Sequence, residues 1–255
     1  MNNLDLGLVY QYVEHYIWPE FHQKKLEKIE SLQLNDILKR KNPYLFKAKN
    51  TLSASDFIGS ILDASLSSGE ETTFGNFIES LAIYVCGLVY SGRKSSTKGL
   101  DLEFENNNDK YLVSIKSGPN WGNASQIAQM RSNFNTAKRI LQTSGGNYST
   151  NFICIEGCCY GYDNNPHKGT HIKLCGQDFW CLISGGNDNL YRDIIEPIGH
   201  RAKEMNDIII ASVTSKKNLL TAEFIYKYCD STGAVDWLRL IDFVSARRSS
   251  NFNQI

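Results

Sequence analysis

The sequence predicts an α/β fold, with helices packed around a central sheet and helical additions at both ends of the chain. Three observations predict this class: two strand patterns separated by a short polar turn, an amphipathic helix after them, and a buried strand after that helix. The length of 255 residues suits one large domain or two small ones. We expect a single domain, with a helical part over 1–50, a core over 55–160, and a loop with further helices over 161–255.

Composition places the chain among folded proteins and excludes several functional classes. The 27 Lys and Arg residues balance 27 Asp and Glu residues, which excludes a globally basic coat for nucleic acid but leaves a locally basic cleft open. No apolar run approaches the roughly 20 residues of a membrane-spanning helix. The first residues lack the basic region of a secretory signal, and the odd number of cysteines, 7, favours reduced thiols. We therefore expect a cytoplasmic protein that contacts no membrane.

Helical spacing of apolar residues dominates the first 90 positions. Residues 4–38 form one such pattern, which Pro19 should break or kink because proline lacks a backbone N–H. Two more helices are predicted at 55–66, with Ser55 as a candidate N-cap, and at 74–89. Glu79 is the one acidic residue within the otherwise apolar second helix, so it demands a partner or an exposed edge.

Alternating apolar and polar residues predict an antiparallel hairpin in the middle of the chain. One strand covers 100–105, the turn covers 106–110, and the second strand covers 111–116. Asp101 and Lys116 then lie on neighbouring strands and can face the same side. The elements predicted after the hairpin are a loop at 118–122, a helix at 125–141 capped by Ser125 and ended by Gly145 and Gly146, a strand at 152–160, and helices at 219–228 and 235–244.

A carboxylate beside an amine on a hairpin matches what metal-assisted phosphodiester hydrolysis needs. Mg²⁺ prefers oxygen ligands, few of them from protein, and it activates water and polarises a phosphate. The amine of Lys116 can orient the attacking water and offset negative charge that grows on the phosphate. The alternative is an ordinary ion pair between Asp101 and Lys116 on a surface hairpin, which contributes little.

The segment GLDLEF, a turn, and then YLVSIKSGPNWGNASQ resembles the catalytic segment of the PD-(D/E)xK nuclease superfamily, above all type II restriction endonucleases. Asp101 corresponds to the first Asp of that pattern and Lys116 to its Lys. Ser114 stands where the pattern has a carboxylate, which is a departure. The segments NPYLF, FGNFIE, GQDFW and TGAVDWLRLIDFV are similar to the layout of enzymes that cut interrupted GG-N-CC-type palindromes.

The resemblance implies a restriction-endonuclease-like central mixed sheet and cleavage of DNA with Mg²⁺, leaving 5′-phosphates. It implies that Asp101 holds the metal, that the Ile115 carbonyl is a further ligand, and that Lys116 positions the attacking water. Ser114 then acts through a bound water. Superfamily members often place an auxiliary acid on the preceding helix, so Glu79 is the favoured replacement for the missing carboxylate. Glu103 is the other candidate, or else a solvated strand residue.

DNA contacts are predicted in the loop after Lys116 and in basic segments. Amide side chains can bond base edges or phosphates, and an indole can pack on the sugar-phosphate backbone. The alternatives are turn geometry for the amides and solvated surface for the basic residues. The candidates are Asn120, Trp121, Asn123 and Gln126, together with Lys98 and its neighbours Arg93 and Lys94, and a second basic segment over 39–50 with a turn at Asn42 and Pro43.

The predicted partner is double-stranded DNA, and a palindromic target favours a C2 homodimer. A prokaryotic cytoplasm and a protective DNA methyltransferase in the same system go with this role. Two other functions stay open: a structure-specific repair nuclease, and a DNA-binding protein without catalysis, which Ser114 keeps open. A third, an interaction module with a structural zinc, rests on the cysteines and histidines between Cys154 and Cys175, whose spacing is poor.

Overall fold

A computed structural model describes residues 1–144 and 151–246 of the chain. It contains a five-stranded mixed sheet in which spatial order follows chain order. Neighbours are antiparallel among the first three strands and parallel among the last three, which confirms the predicted α/β class with a mixed sheet. The strands are β1 (Arg93–Lys94), β2 (Leu102–Asn106), β3 (Asp109–Lys116), β4 (Asn151–Cys158) and β5 (Ile172–Cys175).

Helices precede, interrupt and follow the sheet, as predicted for the additions at both ends. The backbone takes π-helical geometry over Trp18–Gln23, at the position where Pro19 removes a backbone donor from the helix. The α-helices are α1 (Leu6–Ile17), α2 (Lys24–Ser31), α3 (Leu34–Lys39), α4 (Pro43–Ala48), α5 (Ala54–Tyr90), α6 (Ala124–Ser144), α7 (Gln177–Ile183), α8 (Leu190–Asp193), α9 (Ile195–Gly199), α10 (Ala202–Tyr228) and α11 (Trp237–Ser245).

The chain forms two compact units. The first consists of Met1–Phe21 and Thr73–Ala202, and it contains the whole sheet. The second consists of His22–Thr72 and the described residues from Lys203 onward. The predicted single domain, with its divisions near residues 50 and 160, stays a prediction.

The first unit buries apolar side chains on both faces of its sheet. On one face, Val113, Ile115 and Ile155 pack with α1, α7 and the second half of α5. On the other face, Leu112 and Cys154 pack against α6 through Met130, Phe134 and Ala137. Alternate residues of β3 thus enter different clusters, as the period of two in a strand requires.

The second unit has a helical core. Its buried residues come from the first half of α5, from α2, α3 and α4, and from α10 and α11, with Phe57 and Phe224 near the centre. Helix α5 is long and apolar enough by composition to cross a membrane. Core helices of globular proteins pass the same test, and here α5 supplies buried residues to both cores.

Several predicted boundaries in the helical part are wrong for identifiable reasons. The helices predicted at 55–66 and 74–89 form the single helix α5, and Ser53 rather than Ser55 caps it by accepting a bond from the Asp56 N–H at 3.0 Å. Asn42 does not form a turn with Pro43 but caps α4, accepting from the Tyr44 N–H, because proline suits the first position of a helix.

Other differences concern the hairpin and its flanks. The turn is only Asn107 and Asn108, both with positive φ (50° and 68°), so the strands extend further into it than predicted. Leu100 precedes β2 and packs with Leu112, away from Leu102. Asn123 rather than Ser125 caps α6, and the predicted helix end at Gly145 and Gly146 lies outside the described residues.

Candidate active site on the hairpin

The hairpin brings Asp101 and Lys116 together on one side of the sheet, as the alternation predicts. Lys116 Nζ lies 3.6 Å from Asp101 Oδ2, and each side chain is 23% exposed. Leu102 pairs with Val113 in the antiparallel register, so Asp101 comes to lie beside Ser114. Its backbone N–H donates to the Val113 carbonyl at 2.9 Å and fixes it at the start of β2. The pair is therefore partly buried and built into the sheet, unlike an ion pair on a solvated hairpin.

The Asp101 carboxylate is held by the neighbouring strand. Oδ2 accepts the Ile115 backbone N–H at 2.6 Å and the Ser114 hydroxyl at 3.3 Å. A carboxylate that accepts a backbone donor on a strand has few orientations left. Its position is therefore set by the sheet before any ligand arrives.

Gly99 allows the segment before Asp101 to pass close to α6. Its φ is +83°, and a β-carbon at this position would overlap the side chain of Asn133. Only glycine combines that backbone conformation with that space. The glycine in the GLD sequence thus sets the path by which the chain enters β2.

Three contacts fix the ammonium group of Lys116. Besides Asp101, it donates to the Ile115 carbonyl at 2.8 Å and lies over the indole ring of Trp121, 4.9 Å from the ring centroid. The Ile115 carbonyl, a predicted metal ligand, therefore already accepts a bond from Lys116. A metal at this carbonyl would have to share it with the ammonium.

Glu79 projects from α5 toward the same site. Burial raises the pKa of Glu79, the negative charge of Asp101 raises it further, and the charges of Lys94 and Lys116 lower it. Its Oε1 lies 3.9 Å from Lys94 Nζ, and the side chain is 27% exposed. Glu79 is thus a second carboxylate that interacts electrostatically with Asp101, rather than a side chain on a solvated helix edge.

Glu103 is buried, contrary to the solvated position considered for it. Its side chain is 5% exposed and bonds the Ser95 hydroxyl at 2.5 Å and Lys110 Nζ at 3.6 Å. These contacts satisfy the carboxylate at its own location in β2. The charge of Asp101 acts on Glu79, by contrast, and raises its pKa in addition to the effect of burial.

Sequence reasoning missed Glu156, which lies beside Ser114 in the parallel register of β3 and β4. Its carboxylate accepts the Trp121 indole N–H at 2.9 Å and contacts Lys173 Nζ at 2.9 Å and His171 Nε2 at 3.0 Å. Burial raises the pKa of Glu156, but these three hydrogen bonds outweigh it and lower the pKa to about 2. The sequence contained one signal for Glu156: it is the single acid in the apolar strand FICIEGC. A buried acid needs a polar partner, as was argued for Glu79.

Most predicted DNA-binding residues lie in or next to the β3–α6 loop, residues 117–123, whereas Lys98 lies between β1 and β2. Asn123 and Gln126 form a reciprocal capping box: Asn123 Oδ1 accepts the Gln126 N–H at 3.1 Å, and Gln126 Oε1 accepts the Asn123 N–H at 3.0 Å. Their side-chain oxygens thus serve helix geometry, one of the alternatives considered. Asn120 and Lys98 are exposed, whereas Trp121 is half-buried.

The other basic segment, over 39–50, belongs to the second unit. Its lysines lie partly on aromatic rings of α11: Lys39 Nζ is 5.9 Å from the ring centroid of Phe243, and Lys47 Nζ is 5.3 Å from that of Trp237. Their contribution to DNA binding stays a prediction.

The donor set of the site fits a magnesium ion better than a zinc ion. Mg²⁺ is held in proteins by one or two carboxylates, while water and substrate phosphate complete its coordination. Asp101 and Glu79 are two carboxylates that could hold such an ion. Within residues 1–144 and 151–246, no three Asp, Glu, His or Cys side chains are grouped to hold a metal. The cysteines between Cys154 and Cys175 are mostly buried, which raises the pKa of their thiols and disfavours the thiolates that zinc needs.

Comparison with known protein families gives a match over most of the chain. A family model described as type II restriction endonuclease EcoO109I matches residues 8–206, a span that contains the sheet, Glu79 and the hairpin. The predicted resemblance to type II restriction endonucleases is confirmed by this match, and the predicted GG-N-CC-type subgroup fits it. No curated protein matches the sequence.

Proposed function

The chain belongs to the EcoO109I family of type II restriction endonucleases, and we propose that it cuts both DNA strands at a short, largely palindromic site in a reaction that requires Mg²⁺. Membership implies a site-specific nuclease that acts on double-stranded DNA. The observation that carries the proposal is the Asp101–Lys116 pair, 3.6 Å apart and anchored to the backbone of β3. This pair is a variant of the PD-(D/E)xK arrangement in which Ser114 replaces the carboxylate.

Asp101 and Glu79 are the residues proposed to hold the ion. Their proximity is unfavourable without a cation, since burial and the charge of Asp101 raise the pKa of Glu79. A bound Mg²⁺ supplies positive charge that polarises the phosphate and lowers the pKa of a water. Because Asp101 Oδ2 is already fixed by the Ile115 N–H, the ligand arrangement needs little reorganisation.

Lys116 is proposed to orient the attacking water and to offset negative charge on the phosphoryl oxygens. Its ammonium group is held between the Ile115 carbonyl and the Trp121 ring, which leaves it little freedom beside Asp101. Ser114 is proposed to act through a bound water and to keep Asp101 in place through their 3.3 Å contact.

Residues of the β3–α6 loop and the start of α6, together with Lys98 between β1 and β2, are proposed to bind DNA. Asn120 and Lys98 are exposed, so they can contact a base edge or a phosphate without rearrangement. Asn123 and Gln126 can offer their amide N–H groups while their oxygens cap α6. Trp121 is proposed to pack against the sugar-phosphate backbone through its exposed part.

The remaining parts of the proposal are supported by the resemblance to type II restriction endonucleases. A palindromic site suits a C2 homodimer with one active site for each strand. We propose that the products carry 5′-phosphates, that the enzyme acts in a prokaryotic cytoplasm, and that a DNA methyltransferase of the same system protects the host DNA.

Ser114 favours one second candidate, a sequence-specific DNA-binding protein that has kept the fold and lost the chemistry. The serine removes a carboxylate from the strand that carries Lys116. Glu156, which lies beside it, bonds Trp121, Lys173 and His171.

Digestion of unmethylated phage DNA separates the two candidates. Purified protein is incubated with Mg²⁺ or with EDTA, alongside Asp101→Ala and Lys116→Ala, and with Glu105→Gln as an exposed control from the same hairpin. Discrete fragments that need Mg²⁺ and disappear in both active-site variants support the proposal, and their ends give the site and the phosphate position. A smear indicates a structure-specific nuclease instead. Specific binding without cleavage in Mg²⁺ or Mn²⁺ indicates the binding protein.

A further inference from the structure

The indole of Trp121 joins two charged groups that lie on different strands. Its ring lies under Lys116 Nζ, which is 4.9 Å from the ring centroid, and its N–H donates to Glu156 Oε1 at 2.9 Å. The ring therefore has a cation over its face and an anion at its edge. This orientation is electrostatically favourable at both positions, because the face of an indole is negative and its N–H is positive.

Glu156 is itself rigidly held. His171 Nε2 and Lys173 Nζ both contact its carboxylate, and the three side chains are 5%, 1% and 12% exposed, in the order Glu156, His171 and Lys173. A buried carboxylate with several donors has little freedom, so the indole bonded to it is fixed as well.

The same cluster fixes the backbone of the β3–α6 loop. Lys173 Nζ donates to the Pro119 carbonyl at 2.8 Å, two residues before Trp121. Gly118 lies so close to the ring of Tyr160 that a β-carbon there would overlap it. The loop therefore follows one path from Lys116 to Trp121, set from the β4 and β5 side of the sheet.

We propose that Glu156 and Trp121 are positioning residues for cleavage: Glu156 holds the indole, and the indole holds the ammonium group of Lys116 beside Asp101. This inference rests on the proposed role of Lys116. Neither residue needs to touch the reacting phosphate. Their effect is on where the ammonium group lies, and a misplacement of about 1 Å in an active site costs about 100-fold in rate.

The test compares Trp121→Phe, Glu156→Gln and the double variant in single-turnover cleavage. The substrate is a duplex that carries the site mapped with the unmodified enzyme, and affinity for the same duplex is measured in EDTA. Phe keeps an aromatic face but has no N–H for Glu156. We expect each single variant to lower the rate constant about 10- to 100-fold and to leave the dissociation constant within about twofold.

The double variant separates a joint action from two independent ones. If Glu156 acts through Trp121, the double variant loses no more rate than the more impaired single variant, within about twofold. The inference is overturned if the loss of rate in the double variant equals the product of the two single losses. It is also overturned if the single variants keep the unmodified rate constant. A raised dissociation constant with an unchanged rate constant also overturns it and leaves Trp121 with its proposed DNA contact alone.

Controls keep the result interpretable if Glu156→Gln folds poorly. Trp121→Phe leaves Glu156 bonded to Lys173 and His171, so this variant is a sufficient test of the inference even without Glu156→Gln. Trp237→Phe is the matched control, because Trp237 also lies beneath a lysine, Lys47, but in the second unit, and we expect it to keep the unmodified rate constant. If the unmodified protein does not cleave, the proposed function fails; if Lys116→Ala cleaves normally, the proposed role of Lys116 fails, and the inference with it. If Lys116→Ala is inactive while Trp121→Phe cleaves normally, only the inference fails.

Discussion

Ser114 and Glu156 lie side by side on the same face of the sheet, because β3 and β4 pair in parallel with these two residues in register. Ser114 stands where the PD-(D/E)xK pattern has a carboxylate, and the residue beside it on the neighbouring strand is itself a carboxylate. The oxygens of Glu156 bond Trp121, Lys173 and His171. The acid at this position of the sheet is directed toward the loop, and Glu79 of α5 is the second acid near Asp101.

Restoring the carboxylate in Ser114→Asp should strengthen metal binding. The new side chain would lie beside Asp101 and add a charged oxygen ligand, so we expect the Mg²⁺ concentration for half-maximal cleavage to fall about tenfold. In EDTA the same variant should lose about 3 kcal/mol of unfolding free energy, because Ser114 is 1% exposed and a charge there is buried beside Asp101.

Magnesium titrations of cleavage and urea unfolding in EDTA measure both effects. Ser114→Ala is the control, since it removes only the 3.3 Å contact to Asp101, and it should cost about 1 kcal/mol or less. An unchanged magnesium requirement in Ser114→Asp would contradict a metal at this position.

Replacing Glu79 by Gln should slow cleavage without lowering the stability of the fold. Burial and the charge of Asp101 raise the pKa of Glu79, so ionising this carboxyl costs more free energy in the folded protein than in the unfolded chain. We therefore expect Glu79→Gln to be at least as stable as the unmodified protein in EDTA and to cleave about 10- to 100-fold more slowly in Mg²⁺.

The measurements are thermal unfolding in EDTA and initial cleavage rates in Mg²⁺. Glu105→Gln provides the comparison, because Glu105 lies on β2 but is 73% exposed, and both readouts should match the unmodified protein. Full activity in Glu79→Gln would remove Glu79 from the proposed metal ligands.

Glu156 should make stability depend on acid pH. Hydrogen bonds lower its pKa from an ordinary value near 4.5 to about 2 in the folded protein, so the unfolded chain binds a proton first as the pH falls. The stabilisation is complete above about pH 5 and is lost as the pH falls toward 2, a change of about 3 kcal/mol. Urea unfolding at several pH values checks this, and Glu156→Gln should show a correspondingly flatter dependence over the same range. Parallel curves for the two proteins would show that Glu156 is not the group responsible.

The turn of the hairpin should respond to substitution at Asn108. Its φ of 68° lies in the left-handed region that glycine and asparagine tolerate. We expect Asn108→Ala to lower the unfolding free energy by about 1 kcal/mol, whereas Asn108→Gly should be neutral or slightly stabilising. Equal stabilities of the Ala and Gly variants would contradict the turn geometry.

Local patterns in the sequence were sufficient for the elements that surround the site. Alternation on both strands predicts the hairpin and places Asp101 and Lys116 on one side, and helical spacing predicts the amphipathic helix that became α6. Boundaries were less predictable where two nearby residues are both able to cap a helix, since Ser53 caps α5 instead of Ser55, and Asn123 caps α6 instead of Ser125. Two short strands, β1 and β5, have too few residues for a period to be visible.

Residues close together in the chain were enough to establish the fold class, the pair Asp101 and Lys116, and the departure at Ser114. The surroundings of that pair became visible in the folded chain alone. Glu156 reaches Trp121 across 35 positions, and it does so because parallel pairing of β3 with β4 fixes which residues are neighbours. Strand register between distant segments is set by packing of the whole sheet. No local pattern could therefore have placed Glu156 beside Trp121, the loop residue that contacts Lys116.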